Sequence, residues 1–357
     1  MQKTPRIIGK VLLSGALAFC VLTLFSMVYA NTPAHHRDPD GATDYRWEPD
    51  TFYSRAQEGF SFGHTNNEGY YCLRDYQAGD RIDVLVMGSS HMEASNVRPE
   101  QSTASRLDAL LEDLVVYNIG TSAHTFPVCA DNLENAVAKY KPRAYIIMET
   151  ERLSFTEEEL AAVLDHTMED IPSLEGGLVA VLQKNQYLRL LYRQLQNHMG
   201  GKSIPLPAFL NRLRGGEQPE EEPADEPADN SAEPSSDSPS SEEEAEEMLR
   251  ELLMRLSGTA EKSGARLVIF FHPSTNIYED GLLHMEYYEE GVERFKRLCG
   301  ECGILFVSMA DRFAAEYEER YVIPYGFPDT LVGAGHLNKD GHNMIAEELY
   351  KLISEEP

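Results

Sequence analysis

Ile82-Asp83-Val84-Leu85-Val86-Met87-Gly88-Ser89-Ser90-His91 is the stretch from which the rest of the chain is read. A short apolar run that ends in Gly and turns polar reads as a buried strand carrying a Gly-Ser-Ser turn to a sheet edge. Working outward, Leu114–Asn118, Ala144–Met148, Arg266–Phe271 and Ile304–Val307 read as four more strands. Helices are expected between them. Over 99–113, Leu107, Leu110, Leu111 and Leu114 repeat at i, i+3, i+4 and i+7. Residues 128–140, 178–199 and 284–298 follow, and a last helix runs from Asn338 to about Ile353. Thr156 with Glu159 makes a capping box for a further helix. Strands alternating with helices imply right-handed crossovers and a parallel sheet covered on both faces. The expected architecture is three-layer α/β/α with a five-stranded parallel sheet. In such sheets the site lies beyond the carboxyl ends of the strands, just after Gly88, Asn118, Met148, Phe271 and Val307.

The chain has 357 residues, enough for one substantial core or two small ones, and a net charge of −28. That excess argues against a general nucleic-acid binder and against adhesion to anionic lipid through a basic face. Residues 217–247 hold 14 of the acidic residues and no Lys or Arg. The stretch 215–247 has no large apolar residue, so it reads as a disordered acidic insert in the domain. Lys3, Arg6 and Lys10 precede the uncharged run Val11–Ala30, which as a helix spans ~30 Å, the hydrocarbon thickness of a bilayer. The basic flank keeps the N-terminus in the cytoplasm and the remainder is exported. Two readings stand: a membrane anchor, or a signal peptide cleaved after Val28-Tyr29-Ala30. The organisation is then 1–30 anchor or signal, 31–80 stalk and irregular lead-in, and 81–357 the α/β domain. Tyr45, Trp47, Phe52, Tyr53, Phe60 and Phe62 in the lead-in are expected to pack on that domain. The localisation expected is the cell membrane, single-pass, with the C-terminal domain extracellular.

Five cysteines rule out a disulfide framework, although Cys72 and Cys129 could pair. Cys299-Gly300-Glu301-Cys302 stands at a helix end rather than a helix start, where the dipole would lower a thiol pKa. With no second pair for zinc, no metal and no cofactor are expected.

Three places carry candidate chemistry. Ser90 ends the Gly-Ser-Ser turn and can act as a nucleophile if a base takes its proton and N–H donors hold the oxyanion. Gly120 in Asn118-Ile119-Gly120 lets backbone N–H approach a ligand. His336 stands in Gly333-Ala334-Gly335-His336-Leu337-Asn338, before a helix that Asn338 can cap, and suits a general base. His91, His124 and His272 also sit near strand ends.

These blocks resemble the SGNH/GDSL hydrolase superfamily, particularly its exported, membrane-anchored bacterial branch, over about residues 82–357. The resemblance implies a flavodoxin-like fold, with Ser90 as nucleophile and Ser89 where the family often has Asp. It also implies the Gly120 N–H in the oxyanion hole and His336 as base. The family's Gly-x-Asn-Asp block has no match after the third strand, where Met148-Glu149-Thr150-Glu151-Arg152 stands. Thr150 is the candidate donor there. The acid expected three residues before His336 is Gly333, so Asp329 is the candidate acid, the alternative being a Ser–His dyad. The resemblance and the export signal imply an esterase or acyltransferase acting on O-acyl, chiefly O-acetyl, groups of carbohydrate or cell-envelope glycan. A degenerate glycan-binding protein and a lipase-like enzyme are the competing readings.

Overall fold

The structure is a computed structural model describing residues 3–56, 58–168, 185, 187–188, 191, 239–277 and 282–355. The expected helix at 178–199 and residues 215–238 of the acidic insert lie outside these, apart from the isolated described residues. The apolar run forms the helix Lys3–Tyr29, of which Ile7–Tyr29 is long and apolar enough to cross a membrane. By their contacts the residues fall into two units, Met1–Met27 with Leu174–Glu243, and Val28–Ser173 with Glu244–Pro357. The central sheet and the Ser90–His336 cluster lie in the second.

Its centre is a five-stranded parallel sheet of β1 (Val84–Met87), β2 (Val116–Asn118), β3 (Tyr145–Thr150), β4 (Arg266–Phe271) and β5 (Leu305–Ser308), in the order β5-β4-β3-β1-β2. Side chains alternate between its two faces. Leu85, Met87, Ile146, Met148, Leu267 and Ile269 pack on one face with Leu133 and Val137 of the helix Phe126–Tyr140. Leu252 and Leu256 of Pro239–Ser263 and Phe295 and Leu298 of Glu289–Glu301 complete that layer. Val84, Val86, Ile147, Val268 and Phe270 pack on the other face with Leu107, Phe313, Ile345 and Leu349. This is the expected three-layer α/β/α fold with the flavodoxin-like strand order.

Three stretches differ from the sequence reading. Residues 239–247, read as the end of the disordered insert, open the helix Pro239–Ser263. Their carboxylates suit a helix N-terminus, and Glu246 pairs with Arg250 at 3.1 Å and Arg297 at 2.9 Å. Residues 284–286, expected to open a helix, lie instead in the strand Leu283–Glu286, which pairs with Ser274–Ile277. The lead-in also has its own folded structure. Ala30–Asn31, Phe52–Arg55 and Ser61–His64 form an antiparallel sheet, and His35–Arg37 pairs with Tyr45–Trp47. Trp47 Nε1 donates to the fully buried Glu93 at 3.0 Å, and the Tyr45 hydroxyl donates to Ser122 O at 2.8 Å. Tyr45, Trp47 and Tyr53 are buried as expected, whereas Phe52, Phe60 and Phe62 are exposed. All five cysteines are free: Cys129 Sγ faces His124 O, and burial pushes the Cys299 thiol up.

The last helix, Lys339–Glu355, docks on Thr103–Leu110 through His342. Its Nδ1 accepts from the Thr103 N–H at 3.3 Å and meets Thr103 Oγ1 at 2.9 Å. Burial drives the His342 pKa down to about 3, so the folded chain holds it neutral. An unfolded His takes up a proton near 6.5. As pH falls from about 6.5 toward about 3, the unfolded chain therefore binds a proton the folded chain refuses, and stability declines. Urea midpoints across this window should show that decline. His342→Asn, whose amide oxygen replaces Nδ1, should lessen the slope between about pH 6.5 and 5, the remainder coming from His91 and His124, which burial also depresses.

Candidate active site

β1 delivers Gly88-Ser89-Ser90 to the carboxyl edge of the sheet, where the chain turns into the short helix Ser90–Glu93. Ser89 caps that helix by accepting from the His91 N–H at 3.3 Å. Met92 and Glu93 N–H groups go to Ser89 O, and the Ala94 N–H goes to Ser90 O. Among the described residues no acceptor meets the Ser90 N–H, as is usual for the first amide of a helix.

Ser90 Oγ lies 2.9 Å from His336 Nε2. His336 Nδ1 lies 2.7 Å from Glu58 Oε1, and the same oxygen accepts the His336 backbone N–H at 2.6 Å. Ser90, His336 and Glu58 thus form an unbroken chain from hydroxyl to carboxylate. Burial pushes the Glu58 carboxyl up, but the hydrogen bonds from His336 outweigh it and hold Glu58 below the usual carboxylate range. Gly335 makes the approach feasible: its φ is +92°, and a Cβ would lie 2.3 Å from Glu58 Oε1.

Asp329, the expected acid, does not reach His336. Its Oδ2 accepts the Glu58 N–H at 3.0 Å and its Oδ1 the Gly59 N–H at 2.8 Å. It fastens the backbone of the residue that takes the expected role. Glu58 is the residue that sequence reasoning missed. It is 278 positions from His336, in a segment with no pattern of its own. The signal available was Gly333, a residue without a side chain where an acid was due.

Gly120 sits beside the nucleophile turn, but its N–H donates to Asn118 Oδ1 at 3.0 Å. Asn118 Nδ2 in turn donates to Met92 O at 2.8 Å. A Cβ on Gly120 would lie 2.5 Å from the Met92 carbonyl carbon, so this glycine allows close packing and does not present a free amide. Thr150 is turned away too: its hydroxyl donates to Arg152 O and accepts the Arg152 N–H.

Beneath the turn lies a second polar network. Glu149, buried at the end of β3, accepts the Ser89 N–H at 2.7 Å and faces Ser89 Oγ at 3.1 Å. Ser89 Oγ also faces Glu151 at 3.0 Å. His272 Nε2 meets Glu149 Oε1 at 2.7 Å. The Tyr325 hydroxyl donates to Pro273 O at 2.6 Å, so it accepts from His272 Nδ1 at 2.7 Å. Burial and then the neighbouring Glu149 push Glu151 up. His91 packs against both His272 and His336, with ring centroids 4.8 and 5.1 Å away. Burial keeps His91 neutral, well below the usual imidazole range. His124 instead binds the lead-in, its Nε2 accepting the Asp44 N–H at 2.9 Å.

One atom each of His91, Glu149, Glu151 and His272 lie within 4.8 Å of one another, a spacing that could hold a metal ion. The donor set does not fit one as it stands. His91 Nδ1 accepts the Leu337 N–H at 3.1 Å, which leaves the proton of the neutral ring on Nε2, the nitrogen facing Glu151. The other ring of the group already faces Glu149.

No family model matches the chain, and no curated protein is similar to it in sequence. Solved structures are similar to it. TesA is 14% identical, with a TM-score of 0.37 over 76% of this chain and 97% of its own. A member of the lipolytic protein G-D-S-L family from Veillonella parvula is 13% identical, with a TM-score of 0.38 over 77% of this chain and 99% of its own. Identities this low leave the argument to the geometry around Ser90.

Gly335→Ala should displace Glu58 from His336 while the fold persists. A fluorophosphonate probe should then label Ser90 about 10²- to 10⁴-fold more slowly, the range for a misplaced or mis-oriented base. Unchanged labelling would mean that Glu58 does not support the imidazole.

Proposed function

We propose that this chain is an SGNH/GDSL-type serine ester hydrolase or O-acyltransferase, held at the outer face of the membrane by Lys3–Tyr29. Its substrates on this reading are O-acyl, chiefly O-acetyl, groups of cell-envelope carbohydrate. The observation that carries the chemistry is the chain Ser90 Oγ–His336 Nε2–Glu58 Oε1, at 2.9 and 2.7 Å. Ser90 Oγ attacks the ester carbonyl as His336 Nε2 takes its proton. Glu58, ionised, holds the Nδ1–H tautomer and stabilises the imidazolium. The Ser90 N–H, which meets no acceptor among the described residues, faces the developing oxyanion. His336 then returns the proton to the leaving alcohol. Water as acceptor completes hydrolysis, and a sugar hydroxyl completes transfer. An assembled triad favours catalysis over a binding-only protein, which would have no use for an imidazole fixed between a hydroxyl and a carboxylate.

Export rests on Lys3, Arg6 and Lys10 before the apolar run. Retention of the helix is supported by the backbone after it: the Ala56 N–H donates to Tyr29 O at 2.9 Å, and Ala30 pairs with Arg55. Cleavage after Ala30 would remove half of that strand.

Turnover of short acyl esters by the full chain tests the assignment. Ser90→Ala should abolish it together with fluorophosphonate labelling. Glu58→Gln should lower kcat by about 10²- to 10⁴-fold. Asp329→Asn should cost less, about tenfold, because it acts only through the backbone of Glu58 and Gly59. A larger loss for Asp329→Asn than for Glu58→Gln would reverse their roles, and labelling of Ser89 would remove Ser90 as nucleophile.

A further inference from the structure

The three aromatic residues that the lead-in leaves exposed share one face of its sheet. In the register, Phe52 lies opposite His64 and Ser54 opposite Phe62. Side chains alternate along a strand, so Phe52 and Phe62 point the same way as the buried Ser54 between them, and Phe60, just before the strand Ser61–His64, lies beside Phe62. Their exposures are 36%, 49% and 58%. The Phe60 and Phe62 rings sit 5.9 Å apart. On the opposite face Tyr53 and Ser61 are buried, and the Ser61 hydroxyl donates to Ser95 O, so that side is the one packed on the domain.

The third strand of this sheet is Ala30–Asn31, the chain that leaves the apolar helix. Asn31 pairs with Ser54, which pairs with Phe62. Two strand spacings, ~10 Å, therefore separate the end of the apolar run from the aromatic face. Glu58 follows Arg55 by three residues, at most about 11 Å of chain. The carboxylate that supports His336 is thus tethered next to the point where the chain emerges from the apolar helix.

We propose that the Phe52–Phe60–Phe62 face seats in the outer leaflet of the bilayer and holds Ser90, His336 and Glu58 at its surface, so that the ester attacked is carried by a membrane-borne molecule. This rests on the anchored reading above. Continuity with the apolar helix selects lipid as the occupant: Ala30, in the same sheet, directly follows that helix, so a chain anchored there holds the sheet close to the interfacial zone, where aromatic side chains are favoured. An acyl group on a lipid-linked glycan meets the site at that depth, and a polymer free in solution does not.

The full chain in phosphatidylcholine vesicles, with or without brominated acyl chains, tests the seating without any need for turnover. The single native Trp, Trp47, is buried and gives a low background. Phe62→Trp and Phe60→Trp should each lose most of their added emission in brominated vesicles, whereas the wild-type signal should not change. Equal emission in the two vesicle types would overturn the proposal. So would a blue shift that follows protein concentration rather than lipid, which would give the face to a second copy. A mature chain beginning at Asn31 would overturn it as well. In a second arm, Phe60→Ser/Phe62→Ser should lower turnover of an acetyl ester on a lipid-anchored sugar by about tenfold and leave p-nitrophenyl acetate turnover unchanged. Equal losses on both substrates would count against it. If the wild type cleaves neither ester, the hydrolase reading fails while the emission result still decides the seating.

Discussion

Glu58 Oε1 accepts both the ring Nδ1–H and the backbone N–H of His336, and this double contact is the constraint on which the site depends. It fixes the imidazole in one tautomer and one orientation, with Nε2 left for Ser90. It also demands help on both sides. Gly335 must lack a side chain and adopt a positive φ, and Asp329 must hold the Glu58 and Gly59 amides. Gly59, also at positive φ, lets the ring of Phe327 come within contact. A short segment before the sheet and a loop near the C-terminus are thereby locked together at the nucleophile. The lead-in thus contributes Glu58 to the Ser90–His336 cluster and is not a spacer ahead of it.

Two carboxylate–histidine pairs meet at the nucleophile turn, and their surroundings separate their roles. Glu58 and His336 are half-buried and reach Ser90 Oγ. Glu149 and His272 are fully buried and reach the backbone of Ser89. A buried carboxylate is tolerated where donors meet it, and Glu149 has the Ser89 N–H and hydroxyl. It leaves no room for a side chain at Gly88, where a Cβ would lie 2.3 Å from Glu149 Oε2. The glycine of the Gly-Ser-Ser turn is therefore set by the strand next door, and the turn is braced from below while its hydroxyl works above.

Residues whose position follows from local sequence were legible in it, and residues whose contacts are distant were not. A strand leading into Gly-Ser-Ser placed Ser90, and a Gly-rich loop before a capped helix placed His336. The five strands were readable because each is a short apolar run between turns. Gly120 was readable as a glycine with a purpose, but the purpose depends on Met92 of the neighbouring strand's turn, which no single segment reveals. Thr150 resembles a free donor until Arg152 folds back onto it. Phe52, Phe60 and Phe62 resemble core residues by type alone, and only the folded lead-in shows them exposed.

The order of the three groups along the chain has its own consequence. The carboxylate lies at residue 58, the hydroxyl at 90 and the imidazole at 336, so more than two hundred residues separate the first two from the third. A nascent chain completes the nucleophile turn and the strands beside it long before its base exists. On the proposed reading, Ser90 stays an ordinary alcohol until His336 has been made and packed beside it. On the same reading, a chain that ends before His336 is inert and not a deregulated hydrolase.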